Sequence, residues 1–269
     1  MVSIGRFRLD RPAWAVVLAL GAVTACAAGR LRAAEAWPDQ RVLGPFVCRA
    51  DFPLAQIEGV LGDLRQLQSD LASDLKLPPA NAWIEVYLFR DKATYDRYLV
   101  RHFPQVPYRR ALYIKSDGRG KVLAHRGPEF EIDLRHECTH ALLHAALPAV
   151  PLWLDEGLAE YYETAREQRA TGGSHRSAVC WSARLGTLPR LAELEKKREL
   201  QEMGRGEYRF AWAWVHFMLH DSPELRKQLV EYLSDLRDGQ AFDTLGQRIE
   251  ARIPSAQERF TSHWKAWTR

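Results

Sequence analysis

The chain holds little sulfur: four cysteines and three methionines in 269 residues. Cys26, Cys48, Cys138 and Cys180 stand far apart, in no zinc-finger spacing, which excludes a thiolate-rich structural metal site. They are also too few for a disulfide scaffold. If an exported chain oxidises one pair, Cys48 and Cys180 are the preferred partners, and Cys138 reads as a small buried hydrophobe. Charge of one sign is scarce too. The net charge is +4, and two of those charges fall in the first 25 residues, where Arg6, Arg8 and Arg11 stand against Asp10. With no basic stripe and no nucleic-acid motif, no nucleic-acid partner is expected. Internal repeats and low-complexity tracts are absent. What remains is ordinary: 46% hydrophobic and 27% charged residues, enough for a sizeable core.

The N-terminus carries an export pattern. Three arginines precede an apolar run from Ala13 to Ala25, which is too short and too rich in small residues for a spanning helix. The run ends in Val23-Thr24-Ala25-Cys26, which resembles the lipobox of bacterial lipoproteins and implies lipidation of Cys26. An ordinary signal peptide, cut after Ala28 or at Ala34-Glu35-Ala36, is the alternative. Residues 1–26 are thus read as signal and anchor, 27–42 as a tether, and 43–269 as the folded domain.

Within that domain the hydrophobic period changes along the chain. Leu54 to Leu75 repeats apolar residues at helical spacing, and Pro78-Pro79 stops it. Phe46–Cys48, Trp83–Phe89, Ala111–Ile114 and Val122–His125 read as strands. The turn Asp117-Gly118-Arg119-Gly120 joins the last two as a hairpin. Asp91 is placed to cap a helix. Helices are predicted over 129–146, 152–166, 191–203, 208–219 and 224–236, with a last one ending near Trp267. The fold class is α+β: an α/β part over 43–147, then an all-helical part over 148–269. Trp153, Tyr161, Tyr162, Trp181, Trp212 and Trp214 read as core aromatics.

The chemistry concentrates at the junction. His136-Glu137-Cys138-Thr139-His140 puts two imidazoles one turn apart on one helix face, where they can share a metal ion. Glu137 lies on the flank and can take a proton from an attacking water. A hydrolytic zinc site uses three protein ligands. After two prolines, Glu156 arrives on a second helix as the third, and Gly157 lets these two helices approach each other closely beside it. His144 continues the imidazole face but reads as a helix-end or supporting residue.

The segment 130–163, with His136 and His140 followed by Trp153-Leu154-Asp155-Glu156-Gly157-Leu158-Ala159-Glu160-Tyr161, resembles the gluzincin zinc metallopeptidases. It is similar above all to bacterial proteins of a domain-of-unknown-function family that carry a W-L-D-E-G-L-A-E-Y motif. The resemblance implies a zincin-like fold, a Zn2+ cofactor on His136, His140 and Glu156, and Glu137 as general base. Its thermolysin-type members imply that Glu160 orients a ligand histidine. Its aminopeptidase N-like members imply that Tyr208, at a helix start, donates to the oxyanion, with His216 and His220 as weaker alternatives. The zincin edge strand implies that Val122, Ala124 and His125 pair with substrate backbone. The spacing from His140 to Glu156 is shorter than in the aminopeptidases, and their exopeptidase motif is missing, so their substrate class does not carry over. The function expected is an extracytoplasmic, membrane-anchored peptidase acting on peptides or proteins. The competing expectation is an anchored, non-catalytic binding or scaffold protein that keeps the fold.

Overall fold

The computed structural model describes residues 37–267, apart from 81 and 117. Cys26 and the signal region lie outside the described residues. Five strands are found among those described: β1 (Asp39–Leu43), β2 (Phe46–Ala50), β3 (Ile84–Phe89), β4 (Ala111–Ser116) and β5 (Arg119–His125). They form one mixed sheet in the order β1-β2-β3-β5-β4. The sheet begins at Asp39, inside the stretch read as a tether. Asp39 also accepts from the Leu54 amide at 2.7 Å, which ties this first strand to the domain.

The parallel pairs β2–β3 and β3–β5 require crossovers, and helices supply them. After a 3-10 turn over Leu54–Ile57, α1 (Glu58–Leu75) covers one face of the sheet, burying Val60, Leu61, Leu64, Leu67, Leu71 and Leu75. Its last turn ends where Lys76 enters the left-handed region at φ 55°. The predicted cap of α2 (Lys92–His102) is present: the Asp91 carboxylate accepts from the Thr94 amide at 2.8 Å.

The hairpin β4–β5 is antiparallel, with Val122 opposite Tyr113. Its orientation in the sheet reverses one expectation. β5 lies between β3 and β4, so Val122, Leu123 and Ala124 are buried at 0%, 0% and 1% exposure. Val122, Ala124 and His125 therefore have no free backbone edge to offer. The edge belongs to β4. A hairpin inserts whichever strand finds a parallel partner, and local sequence does not choose between the two.

From β5 the chain enters α3 (Phe130–Ala146), then α4 (Leu152–Tyr162). Leu134, Cys138, Ala141 and Leu142 turn α3 into the core. The remainder is helical: α5 (Arg166–Arg169), α6 (Arg176–Leu185), α7 (Leu191–Glu195), α8 (Arg205–His220), α9 (Pro223–Arg237), α10 (Leu245–Arg252) and α11 (Ala256–Ala266). The helix predicted over 191–203 is broken. Glu195 turns its carboxylate to the Gly246 amide and the Thr244 hydroxyl, both at 2.7 Å, and Glu202 reaches back to the amides of Arg198 and Glu199. These carboxylates cap new starts instead of continuing one periodic helix.

Gly157 has a role the sequence misassigned. A Cβ there would come within 2.7 Å of the Ala211 carbonyl, so the close neighbour is α8, not α3. Cys48, Cys138 and Cys180 are free, buried thiols, which corrects the preferred Cys48–Cys180 pairing. Burial pushes the Cys48 thiol up to about 12 and the Cys138 thiol upward as well, so both behave as hydrophobes. Of the six aromatics read as core, Trp181 is the exception, at 59% exposure.

Candidate metal centre

His136 and His140 sit one turn apart on α3 with their Nε2 atoms 3.2 Å from each other. Each Nε2 is 3.5 Å from Glu156 Oε2, on α4. Three donor atoms that close together can share one cation, a proton or a metal ion. Ligands about 2.1 Å from a common centre at tetrahedral angles stand about 3.4 Å apart, so this triangle has the dimensions of three corners of a metal tetrahedron. His136, His140 and Glu156 form a group able to hold a metal.

The pairing of the helices explains which residue supports which. α3 and α4 run past each other in opposite senses: early residues of α4 meet late residues of α3. Asp155 thus faces His140 and His144, Glu156 faces both ligand imidazoles, and Glu163, just past the end of α4, faces His136 and Arg135. His136 Nδ1 donates to Glu163 Oε2 at 2.8 Å, and Arg135 Nε donates to the Glu163 carbonyl at 2.6 Å. His140 Nδ1 lies 3.0 Å from Asp155 Oδ1, an ion-pair contact too oblique for a hydrogen bond. The other oxygen of Asp155 is 3.0 Å from His144 Nε2. Each ligand imidazole therefore has a carboxylate at its second nitrogen, which fixes the ring and leaves Nε2 toward the centre.

This corrects the expectation for Glu160. Its Oε2 pairs instead with His175 Nε2 at 2.8 Å. Glu160 and Glu163 share the face of α4 that carries Glu156, at i+4 and i+7. The resemblance singled out the nearer one, but the antiparallel approach brings the farther one to His136. Asp155 was hidden for another reason. It adjoins Glu156 within the motif, and only the approach of α3 shows that both carboxylates face imidazoles. His144, expected to be a supporting residue, bonds Asp155 and stacks on Tyr113 of β4 at 5.5 Å and 19°.

Electrostatics follow from this crowding. Burial opposes charge on His140, yet Asp155 and Glu156 outweigh it and raise its pKa to about 10. His136 also moves upward, because Glu156 and Glu163 overcome its burial. Burial likewise opposes charge on Glu156, but the two imidazoles hold it at about 2. A metal ion bound there would have to displace these protons, so its binding would strengthen as pH rises. Glu137 behaves differently. Burial raises its pKa, and His136 and His140 only partly offset this. A raised carboxylate suits a group that must accept a proton and later give it back.

Neither a family model nor a curated protein matches the chain.

Tyr208 opens α8, and the contact of α8 with α4 at Gly157 carries it toward the centre. Burial raises its phenol and the Glu156 charge raises it further, while Arg109 lowers it. Its hydroxyl thus lies in the field of the candidate ligands. His216 and His220 do not. His216 is buried against the Ala170 carbonyl at 3.3 Å, and His220 pairs with the Tyr161 hydroxyl at 2.8 Å.

These contacts rank the supporting carboxylates. If the group holds a metal, Glu163→Gln is expected to weaken its binding about 10- to 100-fold, the usual cost of losing a partner of a ligand histidine. Glu160→Gln is expected to leave the affinity close to that of the parent. Competition against a chromophoric chelator checks both. The reverse order would return the orienting role to Glu160.

Proposed function

We propose that the chain is a zinc-dependent peptidase with a zincin-like fold, using His136, His140 and Glu156 as metal ligands. The observation that carries this reading is the 3.2, 3.5 and 3.5 Å triangle of donor atoms with Glu137 beside it on the same helix. Two imidazoles and one carboxylate leave a fourth position open, as hydrolytic zinc sites do and structural ones do not. A zinc ion bound there would supply Lewis acidity for water and for a substrate carbonyl. The chain's own residues do the rest. Glu137 takes a proton from the attacking water and later delivers it to the departing amine. Tyr208 donates its hydroxyl hydrogen to the oxygen that gains charge as the carbonyl is attacked. Glu163 and Asp155 keep the two ligand rings turned inward.

The substrate strand is assigned to β4. It is the free edge of the sheet on the α3 side, and an extended peptide can add to such an edge through backbone hydrogen bonds. Tyr113 on β4 meets His144 of α3, so the edge runs alongside the helix that carries the ligands.

Export and lipid anchoring at Cys26 complete the proposal, on the arginines, the apolar run and the Val23–Cys26 pattern. Among the described residues no helix is long and apolar enough to cross a membrane, so attachment would rest on the N-terminal lipid. Cys26→Ser is expected to move the protein from the membrane fraction to the soluble one. A parent chain found full-length and unlipidated in the cytoplasm would contradict the anchor.

Glu137→Gln separates an enzyme from a scaffold. An amide cannot accept the proton, so the variant should keep its zinc and lose most hydrolysis of an unstructured protein substrate. Full activity in this variant would end the mechanism. Tyr208→Phe should lower kcat about a hundredfold with little change in KM, as expected for a donor that acts mainly in the transition state.

A further inference from the structure

α3 carries imidazoles at three successive turns, His136, His140 and His144. Residues four apart share a helix face. α4 meets them with two adjacent carboxylates. Glu156 Oε2 stands 3.5 Å from the Nε2 atoms of His136 and His140. Asp155 is divided between His140 and His144, with one oxygen 3.0 Å from His140 Nδ1 and the other 3.0 Å from His144 Nε2. His140 is therefore shared. One of its nitrogens faces the candidate metal position and the other faces Asp155.

The two contacts of Asp155 differ in kind. The one to His140 is too oblique for a hydrogen bond, and its two atoms, His140 Nδ1 and Asp155 Oδ1, are buried without a hydrogen-bond partner. The one to His144 is a hydrogen bond. An aspartate carboxylate turns about a soft terminal torsion. The bond from His144 therefore sets its plane, and with it where Oδ1 lies relative to His140. His144 is held in turn from the sheet. Its ring stacks on Tyr113 of β4, with centroids 5.5 Å apart and planes 19° apart. Tyr113 lies against the bare backbone of Gly120 on β5, where an added Cβ would come within 3.1 Å of the phenol ring. One line of contacts thus runs from β4 through His144 and Asp155 to a candidate ligand.

We propose that His144 is a positioning residue for the metal centre: its hydrogen bond turns Asp155 so that this carboxylate orients the His140 ring and presents Nε2 to the metal. This rests on the zinc-site reading above. A neutral imidazole carries one N–H. With Nε2 given to a metal, His140 keeps its hydrogen on Nδ1, where a correctly turned Asp155 accepts it. His140, His144 and Asp155 are also close enough to hold an ion of their own. An ion on His140 Nδ1 beside a metal on Nε2 would strip the ring of that last hydrogen, and His144 and Asp155 already satisfy each other by their bond. The geometry therefore favours a hydrogen-bonded support over a second ion, and the test distinguishes the two.

The test measures zinc affinity and stoichiometry, by competition with a chromophoric chelator, for the parent protein, His144→Phe, His144→Gln, Asp155→Ala and the double variant His144→Phe/Asp155→Ala. His144→Phe keeps a ring against Tyr113 and removes the bond to Asp155. It should weaken zinc binding about tenfold, the lower end of the usual cost of disturbing a partner of a ligand histidine. His144→Gln puts an amide N–H where the imidazole N–H stood and should recover most of the affinity. Asp155→Ala should cost at least as much as His144→Phe. The double variant should cost no more than Asp155→Ala alone, because both changes break one connection. Unchanged zinc affinity in His144→Phe, with only the melting temperature of the zinc-free protein lowered, overturns the proposal and leaves His144 a packing residue. Additive losses in the double variant also overturn it, since His144 would then act by another route. A second zinc in the parent that is lost in His144→Phe overturns it by making His144 a ligand. A folded parent that binds no zinc removes the metal-site reading itself, and the positioning role with it.

Discussion

The closeness of three donor atoms on two antiparallel helices is the constraint on which this molecule's chemistry depends. Two imidazole nitrogens and a carboxylate oxygen lie within 3.5 Å of each other in the protein interior, and a shared proton or metal ion offsets the cost of burying them together. The fold pays for that convergence with several specific contacts. Gly157 allows α8 to press on α4 to within a distance no side chain tolerates, which fixes α4 from behind. The carboxylates of Glu163 and Asp155 hold the imidazoles from the sides. Arg135, buried in α3, bonds both the Glu163 carbonyl and the Asp63 carboxylate, linking the end of α4 to α1. Removing any of these contacts loosens the geometry of the centre and leaves the identity of the ligands unchanged.

Burial divides the carboxylates near the centre by function. Glu156 and Asp155 face imidazoles directly and are held ionised despite complete desolvation. Glu137 is half-buried and meets the imidazoles less directly, and there desolvation prevails. The same physical cost thus leaves a carboxylate on α4 that stays ionised and one on α3 that is more easily protonated. The difference comes from orientation. Glu156 points across the gap between the helices toward both rings, whereas Glu137 follows His136 on its own helix and projects to the side.

Much of this was legible in the sequence, and its limits have physical causes. The i, i+4 spacing of His136 and His140 is local, and a helix converts it into geometry without help from the rest of the chain. Glu156 was legible because the prolines after Ala146 force a turn that returns the next helix past the first. The α+β class, the crossover helix α1 and the Asp91 cap were also local readings. Two features were not. The placement of β5 inside the sheet depends on its long-range pairing with β3, so Val122, Ala124 and His125 were given an edge that belongs to β4. The choice of Glu163 over Glu160 depends on the antiparallel approach of α3 and α4. In each case the deciding contact joins segments that carry no mutual signal in one sequence.

X-ray absorption at the zinc edge of the purified, zinc-loaded protein tests the central claim most directly. The account predicts one zinc per chain in an all nitrogen and oxygen shell: two imidazoles, one carboxylate and one further light ligand, at about 2.0 to 2.2 Å. His140→Ala and Glu156→Ala should each remove their own component from that shell. A sulfur scatterer at about 2.3 Å, or a shell unchanged by both substitutions, would contradict it.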